Sequence, residues 1–159
     1  MIRPVAGAPP FDRVVELHGP AVLRFCVARV GAGRADDCFQ ETMLAALRAY
    51  DSVRDPGAIR AWLISIAARK AVDLQRAEAR APVPSADADE WAIAAAAPAG
   101  YEKTLWDGVR GLPAKQRAAV TLRYLADLSH AEIAHVMQTS EEAARRNVFE
   151  GLRRLRREM

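Results

Sequence analysis

The sequence is poor in the residues and segments that mark secreted, membrane-spanning and metal-binding proteins. It has only two cysteines, Cys26 and Cys38, without zinc-finger spacing or a nearby histidine, so neither a disulfide framework nor a zinc site is indicated. Both fall among apolar residues at helical spacing and are expected to be buried thiols. No apolar run reaches bilayer length, and residues 1–10 lack the apolar segment of a secretory signal. These absences predict a cytoplasmic protein that does not insert into a membrane.

Residues typical of catalytic sites are also scarce. The three histidines, His18, His130 and His135, are scattered, and no glycine-rich phosphate loop occurs. The acidic residues form no constellation with them for nucleophilic, metal or acid–base catalysis. We therefore expect neither enzymatic activity nor a cofactor nor a bound metal.

Apolar residues make up 51% of the 159 residues, enough for one ordinary domain or two small ones. The net charge is +3 and the sequence pI about 9.2. Lysine is rare, so nearly all positive charge is on arginine, whose planar guanidinium suits phosphates and base edges. A GC-rich genome would also enrich alanine and arginine, so composition supports nucleic-acid binding only weakly.

Apolar residues recur at helical spacing throughout, and no strand candidate of useful length occurs, so an all-α fold is predicted. Residues 1–10 are expected to be disordered. A helix is predicted from Phe11 with a break at Gly19–Pro20, followed by helices over residues 35–50 and 58–80.

Residues 81–100 interrupt the helical pattern. They contain prolines near both ends, three acidic residues and no basic one. We predict a flexible linker here, joining a helical domain over 11–80 to a second over 101–159, with the two domains moving relative to each other. Trp91 and Ile93 are more apolar than a passive tether requires, and docking on a domain or on a partner are both open.

The second domain ends in a predicted helix-turn-helix. Ser129 and Glu132 have the spacing of a capping box, a break follows at residues 138–139, and Ser140 caps the last helix. That helix has one apolar stripe, and its other faces are rich in arginine. A short capped helix before a longer basic one is typical of major-groove DNA binding, although a solvated arginine face is the alternative.

Three stretches, in this order, carry a family resemblance: residues 36–42 (DDCFQET), residues 60–73 (RAWLISIAARKAVD), and residues 112–134, which begin LPAKQR and end LSHAEIA. They resemble region 2, the following region 2 helix and region 4 of the extracytoplasmic-function (ECF) sigma factors of the sigma-70 family. The resemblance covers nearly the whole chain.

The resemblance implies a sigma factor that binds core RNA polymerase and directs transcription initiation. Region 2 would bind the β′ clamp helices through the acidic stretch and recognise the −10 promoter element. Region 4 would bind the β flap and recognise the −35 element. An anti-sigma factor that clamps both domains is expected as a further partner. The implied core-binding residues are Asp36, Asp37, Gln40 and Glu41; those for −10 DNA are Arg60, Trp62, Arg69, Lys70 and Arg76; those for −35 DNA are Ser140, Arg145, Arg146 and Asn147.

Two of these assignments have structural alternatives. Acidic residues at the start of a helix also stabilise its dipole, so Asp36 and Asp37 could serve either purpose. Trp62, with basic neighbours, suits stacking on single-stranded DNA, but burial in the core is the more common role of such a tryptophan.

The sequence departs from the family pattern at several positions. Ala68-Arg69 replaces an Arg-Asn pair, Gln138 replaces the turn glycine, and Phe149 and Glu150 stand where polar or basic residues are usual. We therefore expect an unusual promoter preference. An alternative function is a sigma-like protein that titrates an anti-sigma factor without directing transcription.

Overall fold

The computed structural model describes residues 6–79 and 89–159, which contain seven α-helices and no strand. The predicted disorder of residues 1–5 and the predicted linker residues 81–88 lie outside the described residues. The helices are α1 (Phe11–Val30), α2 (Ala32–Ala49), α3 (Ile59–Ala79), α4 (Lys103–Arg110), α5 (Ala114–Tyr124), α6 (His130–Met137) and α7 (Glu141–Glu158). The predicted all-α class is confirmed.

The predicted break at Gly19–Pro20 is wrong, because α1 continues through Pro20. Proline removes one backbone hydrogen bond, to the carbonyl of Glu16 one turn earlier, and Glu16 is exposed, so that water can solvate the carbonyl. Gly19 is buried against the ring of Phe39 on α2, where a Cβ would lie 3.7 Å from the nearest ring atom. Packing between α1 and α2 therefore holds the helix together across a dipeptide that locally favours a break.

Helix α2 begins at Ala32, three residues before the predicted start, and its first turn contains no acidic residue. Asp36 and Asp37 lie in its second turn, where the partial charge of the helix dipole has largely decayed. This position weakens the interpretation of the two carboxylates as dipole caps and leaves them available for another role.

Helices α1, α2 and α3 pack on one another around Phe25, Cys38 and Leu63, all fully buried. The buried cluster continues without a gap into the C-terminal half, where it includes Leu122 and Ile133. Both cysteines are free and buried, as expected. The largest buried cluster of the described residues thus spans both halves of the chain, and two smaller clusters lie around Leu112 and Trp106.

The helix-turn-helix forms as predicted. The Ser129 Oγ accepts from the Glu132 N–H at 3.2 Å, and the Glu132 carboxylate accepts from the Ser129 N–H at 2.7 Å, which completes the capping box. Gln138 ends α6 in the left-handed conformation with φ of 53°, in the position where glycine is usual. The Ser140 Oγ then accepts from the Ala143 N–H at 3.0 Å and starts α7.

Candidate functional site

The acidic stretch forms one exposed face of α2. The carboxylate oxygen of Glu41 lies 4.0 Å from Nζ of Lys70 on α3, which is the only ion pair that the described residues make through this face. Two exposed leucines extend the face toward the end of the helix. It comprises Asp36, Asp37, Gln40, Glu41, Leu44 and Leu47. An acidic, partly apolar helix face of this kind is suited to a basic protein surface.

Three of the five residues assigned to −10 DNA come together in one cleft of about 940 Å³ between α3 and α6. Trp62, Arg69 and Arg76 lie on the α3 side. Trp62 is half-buried, and its ring lies 6.4 Å from that of Tyr50, so it belongs to the core and to the cleft at once. The tryptophan surface gives the cleft a stacking platform, and its two guanidinium groups can bind phosphates. The carboxylates of Asp73 and Glu90 also line the cleft, so its charge is mixed.

Arg60 and Lys70, the other two residues assigned to −10 DNA, lie outside this cleft. Nε of Arg60 lies 3.3 Å from Nδ1 of His18 on α1, and its Nη1 donates to the backbone carbonyl of Asp127 at 3.4 Å. Lys70 lies beside Glu41, next to the acidic face. Helical spacing alone could not separate these residues, because α3 is covered by α1 and α2 on some sides and by α6 on another.

The −35 assignments fall on the N-terminal half of α7. Arg145 lies 3.1 Å from Glu141, and Arg146 lies 3.6 Å from Glu142; both are i,i+4 pairs, and each arginine side chain is about 60% exposed. Ser140 uses its hydroxyl as the helix cap, and Asn147 is half-buried toward the helix-turn-helix core. The two arginines are thus the members of this set that project into solvent.

Phe149 is an exposed residue of α7 that was not among the residues predicted to contact −35 DNA. Its side chain is 63% exposed, one turn beyond Arg145 and Arg146, and Arg153 continues the exposed face another turn on. A single exposed aromatic residue is not unusual by itself, but this one shares a helix face with the exposed arginines of the predicted recognition helix. The departure from the family pattern at Phe149 already marked the position, and helical spacing from Arg145 would have placed it on the same face.

The C-terminal half also has an apolar groove that the sequence did not predict. The groove, of about 330 Å³, lies between α4, α5 and α7, and none of its lining residues belongs to the cleft. Its lining includes two tyrosines with exposed rings, Tyr101 and Tyr124, and the side chains of Leu105, Val109 and Leu152. The groove forms only where three helices meet, so no single segment predicts it.

The described residues contain no group of three or more potential metal ligands. None of the helices they form combines the length and the apolar character that a membrane crossing requires.

Residues 14–81 match the protein family Sigma-70 region 2, and residues 103–155 match Sigma-70, region 4. The ECF RNA polymerase sigma factor SigD of Mycobacterium tuberculosis is 34% identical over 163 residues, a match to 92% of this chain and 75% of SigD. The ECF RNA polymerase sigma-E factor of Escherichia coli K12 is 31% identical over 155 residues, covering 87% of this chain and 81% of that protein.

A solved structure has the same fold. It is the sigma factor RpoE in complex with the anti-sigma factor NepR from Bartonella quintana, which superposes with a TM-score of 0.73 at 22% identity. The match covers 93% of this chain and 95% of RpoE. At 22% identity, this similarity shows a shared fold and no more.

Proposed function

Because this chain belongs to the ECF sigma factors of the sigma-70 family and is a promoter-recognising sigma factor, we propose a division of that function among its surfaces. The acidic face of α2 binds core RNA polymerase, at the β′ clamp helices. The cleft side of α3 handles the −10 element, and the exposed face of α7 recognises the −35 element. The protein acts in the cytoplasm, where these partners are found.

The observation that carries this proposal is the exposed pair Arg145 and Arg146 one turn into the second helix of a fully capped helix-turn-helix. Recognition helices contact DNA through residues near their N-terminus. Guanidinium groups at that place reach phosphates or guanine edges. Exposed Phe149 on the same face adds an apolar contact, for which the methyl group of thymine is the chemical match.

For the −10 element, the support is the convergence of Trp62, Arg69 and Arg76. Single-stranded nucleic acid is bound by aromatic rings, on which bases stack, together with cations for the phosphates. We assign Arg60 and Lys70 smaller roles, since each lies away from the cleft and contacts groups of its own chain.

The apolar groove between α4, α5 and α7 is our proposed docking site for the β flap of the polymerase. Its tyrosine rim and leucine floor are the composition expected of a protein-binding groove. An anti-sigma factor that covers either polymerase-binding surface would keep the protein inactive. Sigma factors are DNA-binding regulators rather than catalysts, and the polymerase performs the phosphoryl transfer.

Run-off transcription with purified core polymerase and a library of promoter fragments tests the proposal. We expect specific starts that depend on this protein, and alignment of the start sites will define its two promoter elements. Binding to core without any start would favour the alternative, a sigma-like protein that titrates an anti-sigma factor.

The acidic face has a separate test in core binding. We expect the double variant Asp37→Asn, Glu41→Gln to weaken binding to core polymerase about tenfold or more, because it removes two carboxylates that make charge-assisted bonds. The matched control, Asp12→Asn with Glu16→Gln at the exposed start of α1, loses the same charge and should bind normally. Equal affinity of the two double variants would exclude the α2 face as the core-binding surface.

A further inference from the structure

Gln138, in the turn of the helix-turn-helix, has a backbone conformation that is unfavourable for its side chain. Its φ is 53° and its ψ is 50°, in the left-handed region, where glycine is the residue that meets no steric penalty. In the part of the chain that the structure describes, the other non-glycine residue with a positive φ is Asp127. At both positions the side chain is present in spite of a backbone that disfavours it.

The turn between α6 and α7 requires this conformation. The N–H of Thr139 donates to the carbonyl of Ala134 at 2.9 Å, and the N–H of Gln138 donates to the carbonyl of His135 at 3.3 Å. This pair of bonds forms a Schellman motif, which satisfies the free carbonyls at a helix end and needs a left-handed residue at the position of Gln138. Glycine would make the same two bonds without a Cβ. The turn itself therefore gains nothing from the glutamine side chain.

At Asp127, by contrast, the side chain has a partner within the protein. Its carboxylate accepts from Nη2 of Arg24 at 2.8 Å, and aspartate is among the residues that tolerate the left-handed region best. Glutamine lacks that tolerance. Its carboxamide at position 138 is exposed and makes no hydrogen bond to another described residue. A contact inside the described protein thus accounts for Asp127 but not for Gln138.

Gln138 lies where the predicted recognition helix begins. Ser140, two residues further on, caps α7, and Arg145 and Arg146 follow one turn into that helix. A recognition helix enters the major groove with its N-terminal end, so the turn before it lies near the phosphates at the edge of the groove. Phosphate oxygens accept hydrogen bonds from neutral side chains, among them the carboxamide of glutamine.

We propose that Gln138 is a DNA-positioning residue: its carboxamide donates to a backbone phosphate beside the −35 element, and this bond offsets the cost of the left-handed backbone when DNA is bound. The inference rests on the proposed role of α7 in −35 recognition. Because the phosphate backbone is common to all sequences, the contact strengthens binding and fixes the orientation of α7 without selecting bases.

Thermal unfolding of the full chain, followed by circular dichroism, tests the strain. We expect Gln138→Gly to raise the melting temperature by about 1–4 °C, because it removes the left-handed strain and only part of that gain is lost to a more flexible unfolded chain. Gln138→Ala keeps a Cβ, and with it the strain, so it should melt close to wild type. The pair therefore separates the backbone cost from the loss of the carboxamide.

Binding to a short duplex that contains the −35 element found by run-off transcription measures the contact. We expect Gln138→Gly and Gln138→Ala each to weaken binding about three- to tenfold, because both delete the donor. The slope of log K against log salt should stay unchanged, since a neutral donor does not displace a counterion. Equal losses in the two variants would exclude a more flexible turn as the cause, because alanine does not loosen the backbone as glycine does.

Gln138→Lys tests directly whether a phosphate lies nearby. It should bind at least as tightly as wild type and make the salt slope steeper by about 0.9, the value for one additional ion pair with DNA. The matched control is Thr104→Lys at the exposed start of α4, which adds the same charge away from the turn and should change the slope less.

Gln138 also lines the cleft between α3 and α6, so the competing explanation is a packing role there. In that case Gln138→Gly would lower the melting temperature and leave binding to the short duplex unchanged, which would overturn the proposal. Equal changes of slope in the two lysine variants would overturn it as well. Failure of the wild type to bind the −35 duplex would instead count against the proposed function of α7.

Discussion

At Gly151, α7 packs closely against α5. A Cβ added there would lie 2.7 Å from Cγ2 of Val120, closer than real Cβ contacts, and 3.5 Å from the backbone oxygen of Gln116. The valine is buried and has little room to move. The hydrogen side chain at this position therefore sets the spacing between the two longer helices of the C-terminal half.

We predict that Gly151→Ala lowers the stability of the protein. Alanine in a helix interior gains up to about 1 kcal/mol over glycine, but overpacking a core typically costs about 1–3 kcal/mol, so with the full gain a net loss of up to about 2 kcal/mol is expected. Thermal unfolding followed by circular dichroism measures it. The control is Gly33→Ala in α2, where a Cβ would meet nothing within 4 Å. Greater stability of Gly151→Ala than of wild type would contradict the close packing of α5 and α7.

Arg29 shows why single residues are hard to assign from the sequence. It lies at the end of α1 among apolar residues and has no pattern that distinguishes it from the exposed arginines nearby. Its burial depends on carbonyls of residues 90 and 92, more than 60 positions further along the chain. The apolar Trp91 within an acidic linker was a sequence clue to docking, although it named no partner.

At the scale of elements, α7 combines two charge patterns. Glu141 and Glu142 lie in its first turn and the arginines Arg156 and Arg157 in its last, which suits the helix dipole at both ends. Arg145 and Arg146 each pair with one of the two glutamates, and exposed pairs of this kind contribute only about 0.3–0.5 kcal/mol each. Either arginine can therefore leave its glutamate for a phosphate at little cost.

The double variant Arg145→Ala, Arg146→Ala should bind promoter DNA more weakly and with a lower salt dependence. Removing one arginine–phosphate ion pair reduces the slope of log K against log salt by about 0.9, so a decrease of up to about 2 is expected. Fluorescence anisotropy at several salt concentrations measures the slope. Arg156→Ala with Arg157→Ala removes the same charge from the far end of the helix and should change the slope less. If both pairs lower it equally, net charge rather than the recognition face is responsible.

In helix α1, the local sequence pattern led to a wrong prediction. The pair Gly19–Pro20 favours a break locally, yet the helix is continuous, because the buried Gly19 allows Phe39 of α2 to pack closely. The helix caps, in contrast, were predicted correctly. Ser129, Glu132 and Ser140 were correct because a cap depends only on neighbours within one turn.

At the scale of the whole molecule, the two regions share an interface that contains a histidine. His18 of α1 contacts Arg60 of α3, and Glu132 of α6 is the acidic group that acts on it from the other half. Burial, and then the charge of Arg60, lower the pKa of His18 below its usual range, with Glu132 opposing them. In the folded protein this imidazole is thus harder to protonate than in the unfolded chain.

The pH dependence follows from that direction. The unfolded chain takes up a proton on His18 near pH 6.5 and the folded protein only at lower pH, so acidification below about 6.5 favours unfolding. We expect wild type to lose more stability between pH 7.5 and 5.5 than His18→Gln, measured by urea unfolding. His135→Gln, at an exposed site on α6, should behave as wild type. A pH response of His18→Gln as large as that of wild type would exclude this role.

The predicted motion of two domains about a flexible linker remains a prediction. In the structure the largest buried cluster continues from α1–α3 into α5–α7, so relative motion requires that buried contacts separate. The part of the predicted linker that the structure describes is bonded to both halves. Motion is then expected to be a two-state opening rather than free tumbling.

Most of the helices, their caps, the family resemblance and the exposed arginine pair of α7 can be predicted from the sequence alone. These depend on side-chain periodicity and on residues within a turn or two, which the sequence contains directly. Three features required the packed structure. Helix α1 passes through Pro20. Trp62, Arg69 and Arg76 share a cleft, whereas Arg60 and Lys70 lie outside it. The buried Arg29 donates to the carbonyls of Glu90 and Ala92. Each of these depends on groups that are distant in sequence and meet only when the helices pack, because burial and hydrogen bonding there are set by the other helix.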